Sequence, residues 1–187
     1  MEKIILFDID YTLINTNILR NEIHNKLIEV AETTPENFAK IQEKYISSLS
    51  SSTDFSPDEL ILVLSKNLKV PKKILRKVFY NNQEAYKKSL YSDTRDALSM
   101  LSKKYRLGIY SEGFEKFQKT KLLQSHISNY FKKDLVFIFR RKLDNLIALP
   151  HNTILVDDKL AVVETVMLTT NHEAVWINRK TNDKHPK

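Results

Sequence analysis

Ile4-Ile5-Leu6-Phe7-Asp8-Ile9-Asp10-Tyr11-Thr12-Leu13 is the stretch on which the fold turns. Four apolar residues in a row read as a strand buried on both faces, the pattern of a parallel sheet rather than of a sheet with one wet face. Two carboxylates, Asp8 and Asp10, follow at alternate positions as that strand ends. In open parallel sheets the functional groups gather beyond the carboxyl ends of the strands. Carboxylates held close together repel, and burial strips each of its hydration. A hard divalent cation is the usual offset, and it leaves one aspartate to act as nucleophile and the other as proton donor.

The pattern recurs late in the chain. Thr153-Ile154-Leu155-Val156 is a second apolar run, and it ends in Asp157-Asp158. Aspartates after a strand also cap helices, and for Asp157-Asp158 alone that reading competes. Capping does not account for Asp10 standing two residues beyond Asp8. Two buried strands, each ending in an aspartate pair, predict four carboxylates at one edge of one sheet.

Between these two stretches the periodicity changes twice. From Asn15 to Leu90 the apolar residues fall at helical spacing, as in Leu19, Ile23, Leu27 and Val30. Thr34-Pro35-Glu36 and Ser56-Pro57-Asp58-Glu59 are helix starts, with a capping hydroxyl and Pro at the first helical position. Nothing in this segment reads as a strand. From Asp93 onward strands and helices alternate, with strands expected at 105–110, 135–139, 153–156 and 174–177. Alternation of this kind implies right-handed crossovers and a parallel sheet. The fold class is therefore α/β: a Rossmann-like three-layer core from residues 1–14 and 91–178, an all-helical insert over 15–90, and a loose polar tail over 179–187.

With the motifs in this order the chain resembles the haloacid dehalogenase superfamily, in its phosphatase branch. The pattern Asp-x-Asp-x-Thr-Leu is met by Asp8 to Leu13, and the likeness runs from about Lys3 to Asn178. The family's Ser or Thr at the end of the second core strand corresponds to Ser111 in Leu107-Gly108-Ile109-Tyr110-Ser111-Glu112-Gly113, and the final acidic pair to Asp157-Asp158. The family lysine falls among Arg140-Arg141-Lys142. Lys142 is preferred because an apolar run (Leu143, Leu146, Ile147, Leu149) begins beside it, and Arg141 is the second candidate. No Pro follows, as it often does in the family.

The resemblance implies hydrolysis of a small phosphate monoester through an aspartyl-phosphate. Asp8 is then the nucleophile. Asp10 is the acid–base residue, with a pKa lifted by its surroundings, and its backbone carbonyl also binds metal. Mg2+ is the implied cofactor, held by Asp8, Asp10 and Asp158, with Asp157 as a ligand or as the group that orients one. Ser111 with its neighbour Glu112, and Lys142 or Arg141, bind the phosphoryl oxygens. The helical insert is implied to be a cap that excludes water and selects substrates, with His24, Asn17 and Arg20 as its candidate contacts. The alternatives are a phosphomutase on the same residues, a nucleic-acid end phosphatase, and a binding protein that keeps the fold without turnover.

Composition narrows the field further. The 187-residue chain has no cysteine, which removes disulfides, thiolate metal sites and a cysteine nucleophile. Its two glycines exclude a glycine-rich phosphate loop. The five histidines do not pair at metal-ligand spacing. No apolar run reaches the length of a membrane span or a signal-peptide core, so a cytoplasmic protein with no membrane partner is expected. The net charge of +7 is shared between the insert and the rest of the chain. A charge so spread reads as a solvated surface, and no nucleic-acid partner is expected. A monomer or homodimer acting on a small phosphorylated metabolite fits these bounds.

Overall fold

The computed structural model describes residues 2–51 and 54–179. Part of the Ser50–Asp54 loop, and the tail beyond Arg179, lie outside the described residues. Arg179 itself does not belong to a loose tail. Its guanidinium pairs with Asp93 at 2.9 Å, donates to the Thr12 carbonyl at 3.2 Å and covers the Tyr91 ring.

Five strands form one parallel sheet in the order β3-β2-β1-β4-β5. They are β1 (Ile4–Phe7), β2 (Arg106–Glu112), β3 (Val136–Phe139), β4 (Thr153–Asp157) and β5 (Glu173–Trp176). β1 is central and buried throughout, as its unbroken apolar run requires. Ile5 and Phe7 enter one core with Leu98 and Leu122, while Ile4 and Leu6 enter the other with Val162 and Val166. Those partners come from α6 (Thr94–Leu101) and α7 (Glu115–Gln124) on one face and α8 (Leu160–Thr169) on the other. Gly108 is required by packing: a Cβ there would stand 2.3 Å from the Leu135 carbonyl oxygen.

Five helices occupy the insert: α1 (Thr16–Val30), α2 (Pro35–Ser47), α3 (Pro57–Leu68), α4 (Lys72–Tyr80) and α5 (Gln83–Lys88). Asn15, Thr34 and Ser56 cap α1, α2 and α3 by accepting backbone N–H bonds. Their shared interior includes Leu27, Phe38, Leu64 and Leu75. The segment leaves and rejoins the sheet at one place, where Asn15 N donates to the Ser89 carbonyl at 2.7 Å and Ile14 bridges Leu90. Among the described residues no helix is long and apolar enough to cross a membrane.

The apolar run beside Lys142 does not form a regular helix. The run 142–149 is not an α-helix; Leu143–Ala148 is a 3-10 stretch broken at Asn145. Its Ile147 side chain is 99% exposed, while Leu146 and Leu149 pack into the core with Leu135.

Candidate active site

The register of the sheet assembles the site. Phe7 pairs with Ile109 of β2 and with Val156 of β4, so Asp8, Ser111 and Asp157 emerge together at the carboxyl edge. Asp8 N donates to the Val156 carbonyl at 2.9 Å, which fixes the aspartate at the strand end. The chain then turns sharply: Leu13 N and Ile14 N both donate to the Ile9 carbonyl at 3.1 Å, and Tyr11 takes a left-handed φ of 57°. That turn brings Asp10 back beside Asp8 at the cost of one strained residue.

Asp8 is 5% exposed and accepts from the Ser111 hydroxyl at 3.1 Å and from Lys142 Nζ at 2.9 Å. Lys142 Nζ also donates to Asp157. The Lys142 backbone is held by Tyr110, whose hydroxyl donates to the Lys142 carbonyl at 2.7 Å. One ammonium thus serves two buried carboxylates. Burial opposes its charge, but Asp8 and Asp157 outweigh burial and hold the lysine well above its ordinary pKa. The share left to Asp8 is insufficient. Burial, reinforced by the Asp157 and Asp10 charges, raises Asp8 to about 6 against the pull of Lys142.

Asp10 behaves in the opposite way, and this corrects the expectation of a lifted pKa. Burial raises it, but the Lys121 ammonium prevails, at 2.7 and 2.6 Å from its two oxygens. Hydrogen bonds from Thr16 (2.6 Å) and Gln118 (3.0 Å) add to that hold. Asp10 is therefore kept below the ordinary aspartate value. The group pushed toward its acid form is Asp8, and the group held as carboxylate is Asp10.

Lys121, Gln118 and Thr16 are absent from the sequence-derived site. Gln118 and Lys121 are three residues apart on α7 and are 4% and 3% exposed. A helix packed on a parallel sheet should turn apolar residues inward. Polar residues at that spacing on the inner face are the signal that was available for them. Gly113, at φ 135°, makes the turn into α7, and the amide of Gln118 lies 2.8 Å from where a Cβ would be.

The remaining candidates divide. Asp157 is fully buried and both its oxygens are engaged, one by Lys142 and the other by the Lys159 N–H at 2.9 Å. That occupancy suits an orienting group better than a ligand. Asp158 borders the same cavity as Asp8 and Asp10, and its carbonyl accepts from Trp176 Nε1 at 3.0 Å. Glu112 turns its carboxylate to Lys159 Nζ at 3.3 Å and to the Lys142 N–H at 3.4 Å. Arg141 reaches Asp54 at 3.1 Å, beside Arg140 at 2.9 Å, and so faces the helical segment. His24 and Arg20 line the cavity, whereas Asn17 holds Arg20 at 2.8 Å.

Four carboxylates (Asp8, Asp10, Asp157, Asp158) meet two buried ammoniums (Lys121, Lys142), an excess of negative charge that a divalent cation balances. Among the described residues no three acidic or histidine side chains converge as a metal cluster. Mg2+ does not need one, since one or two carboxylates and a substrate phosphate are its usual partners. The site fits the ion in charge and donor type.

The sequence profile of the haloacid dehalogenase-like hydrolases matches residues 5–164, and the chain belongs to that family. A haloacid dehalogenase-like hydrolase from Burkholderia xenovorans has the same fold, with a TM-score of 0.71 and 18% identity over 100% of this chain and 90% of that one. The HAD-hydrolase YfnB from Bacillus subtilis, solved bound to magnesium, gives 0.62 and 19% over 97% and 91%. The defluorinating L-2-haloacid dehalogenase Rha0230 gives 0.61 and 15% over 97% and 86%. At these identities the likeness is one of fold. No curated protein matches the sequence.

Proposed function

We propose that the protein is a Mg2+-dependent phosphatase that hydrolyses a phosphate monoester through an aspartyl-phosphate on Asp8. The observation that carries this reading is Asp8 itself, buried at a strand end between the Ser111 hydroxyl and the Lys142 ammonium. In the first step an Asp8 carboxylate oxygen bonds to phosphorus and the ester P–O bond breaks. The departing alcohol oxygen takes up a proton. In the second step water attacks phosphorus, the P–O bond to Asp8 breaks, and inorganic phosphate leaves.

Ser111 and Lys142 donate to the phosphoryl oxygens as their charge grows. Asp10, kept ionised by Lys121, is poised to receive the proton of the attacking water. To protonate the leaving oxygen it must first gain a proton, which requires the pair with Lys121 to loosen. An incoming phosphate dianion competes for that ammonium and favours the change. Asp8 and Asp158 would hold Mg2+, which when bound would supply charge neutralisation for the phosphoryl group. The helical segment, which forms one wall of the cavity, acts as the cap that excludes water.

The defluorinating L-2-haloacid dehalogenase Rha0230 shares the fold, which makes a haloacid the competing substrate, but Asp10 and Asp158 would have no evident task in that reaction. The test is release of phosphate from p-nitrophenyl phosphate with and without Mg2+, run beside halide release from a 2-haloacid. Metal-dependent phosphate release is expected. Halide release alone would overturn the assignment.

A further inference from the structure

The carboxylates occupy only one edge of a large cavity. The whole space is about 1030 Å3 and extends from Asp8, Asp10 and Asp158 to α1 and α2 of the helical segment. Pockets of about 300–1000 Å3 enclose ligands of drug size, so this one is far larger than a phosphate with a few carbons attached.

Most of the area of its wall is apolar. Phe55, Phe79, Phe114, Phe117, Leu19 and Ile23 line it. Most of the polar groups that border it are engaged with one another. Gln42 is 2.8 Å from His24, Arg20 is held by Asn17, and Lys159 by Glu112. His24 is also kept neutral by burial and by Arg20. A sugar or nucleotide would set hydroxyls against phenylalanine rings that offer them no partner, and buried polar groups without partners are costly.

The aromatic wall is built rather than incidental. Asp54 is clamped by Arg140 and Arg141, which positions the next residue, Phe55, over Phe117 with ring centroids 6.3 Å apart and planes at 55°. Arg140 in turn lies on the Phe114 ring at 3.6 Å. Tilted rings of this kind accept a further ring edge-on or offset. Arg141, the second candidate for the phosphate-binding base, has this task instead.

We propose that the site selects phosphate monoesters of a bulky aromatic alcohol, with the phosphate at Asp8 and the rings among Phe55, Phe117 and Ile23. This specificity rests on the phosphatase reading above. The bond changes are those already described: the aromatic alcohol departs with a proton, and water supplies the oxygen of the phosphate released.

The experiment has two arms, both with the full chain and Mg2+. Turnover compares biphenylmethyl phosphate with glucose 6-phosphate and a nucleoside 5′-monophosphate, with p-nitrophenyl phosphate as the generic ester. Binding, by calorimetry, compares biphenylmethyl phosphonate with methylphosphonate, neither of which can be hydrolysed. We expect kcat/KM at least 100-fold higher for the biphenylmethyl ester than for the sugar or nucleotide, and binding of the larger phosphonate at least 30-fold tighter. Ile46→Lys places a charge in the cavity wall from an exposed position and should narrow the turnover ratio at least tenfold. Phe55→Ser is the second variant and should narrow it likewise. Turnover of p-nitrophenyl phosphate with equal or better use of the sugar or nucleotide would overturn the specificity and leave the phosphatase reading standing. No turnover of any ester, with the phosphonate preference intact, would overturn the phosphatase reading and keep the ligand class. Loss of both would remove both.

Discussion

The carboxyl edge of the sheet and the helical wall opposite it face one cavity but are held together by different physics. At the edge, the buried polar groups are tied into a short circuit: Ser111 and Lys142 on Asp8, Lys142 on Asp157, Lys121 and Gln118 on Asp10. Each bond is directional, and removing one partner strands a buried charge. In the wall, Leu19, Ile23 and Phe55 contribute non-directional contact, where shape and volume matter more than any single atom. In the proposed reaction, chemistry depends on the first region and selection on the second. Substitutions in the two should fail in different ways.

The largest expected effect is at Asp8. Asp8→Asn should lower phosphate release by about 10^4-fold or more, as loss of a covalent nucleophile does elsewhere, while the fold survives. Near wild-type turnover in a folded Asp8→Asn protein is incompatible with a covalent route.

Lys142→Met comes next. It leaves Asp8 and Asp157 buried with no shared cation, which should cost about 3–5 kcal/mol in denaturant unfolding as well as activity. Arg141→Ala opens an exposed ion pair with Asp54 and a hydrogen bond to the Arg140 carbonyl, and should leave the melting temperature near wild type. The reverse ranking would transfer the basic role to Arg141.

On the apolar side, Leu64→Ala should cost about 2–5 kcal/mol through the cavity it creates inside the helical segment. Leu64 is fully buried and borders neither the cavity nor the carboxylates, so turnover of a small ester should persist below the new melting point. Parallel loss of turnover and stability would mean that the two regions are not separable.

Mg2+ should raise the melting temperature by mass action, worth about 2.7 kcal/mol at a hundredfold excess over its dissociation constant. Asp158→Ala should remove most of that gain. An undiminished shift in the variant excludes Asp158 as a principal ligand.

Two effects on pH dependence carry opposite signs. Asp8 holds its proton more tightly folded, at about 6, than at the ordinary 3.8. Between those values the folded chain binds more protons, so the Asp8 contribution falls as pH rises through the window and is level above it. His24 is lowered from 6.5 to about 4 by burial and by Arg20. There the unfolded chain binds more protons, and stability falls as pH drops from about 6.5 to about 4. In metal-free buffer, melting curves from pH 4 to 7 should show Asp8→Asn losing the first dependence and His24→Gln the second. The same sign in both variants would contradict the two environments described.

The sequence by itself determined the sheet, the helical insert and the place of the four aspartates. Those features rest on local signals: β1 is an unbroken apolar run because both its faces are buried, and Thr34-Pro35 and Ser56-Pro57 start helices with their own atoms. What tertiary structure alone decided is the company each charge keeps. Lys121 resembles any other lysine in the chain, and Lys142 is one of three adjacent bases, until α7 and the loop after β3 bring them, buried, against Asp10 and Asp8. The reversal of the two aspartate pKa values follows from that placement, as does the conversion of Arg141 into a clamp on Asp54. Apolar burial is written residue by residue along the chain. A pKa depends on the distances and dielectric around a group, and those exist only once distant segments have met.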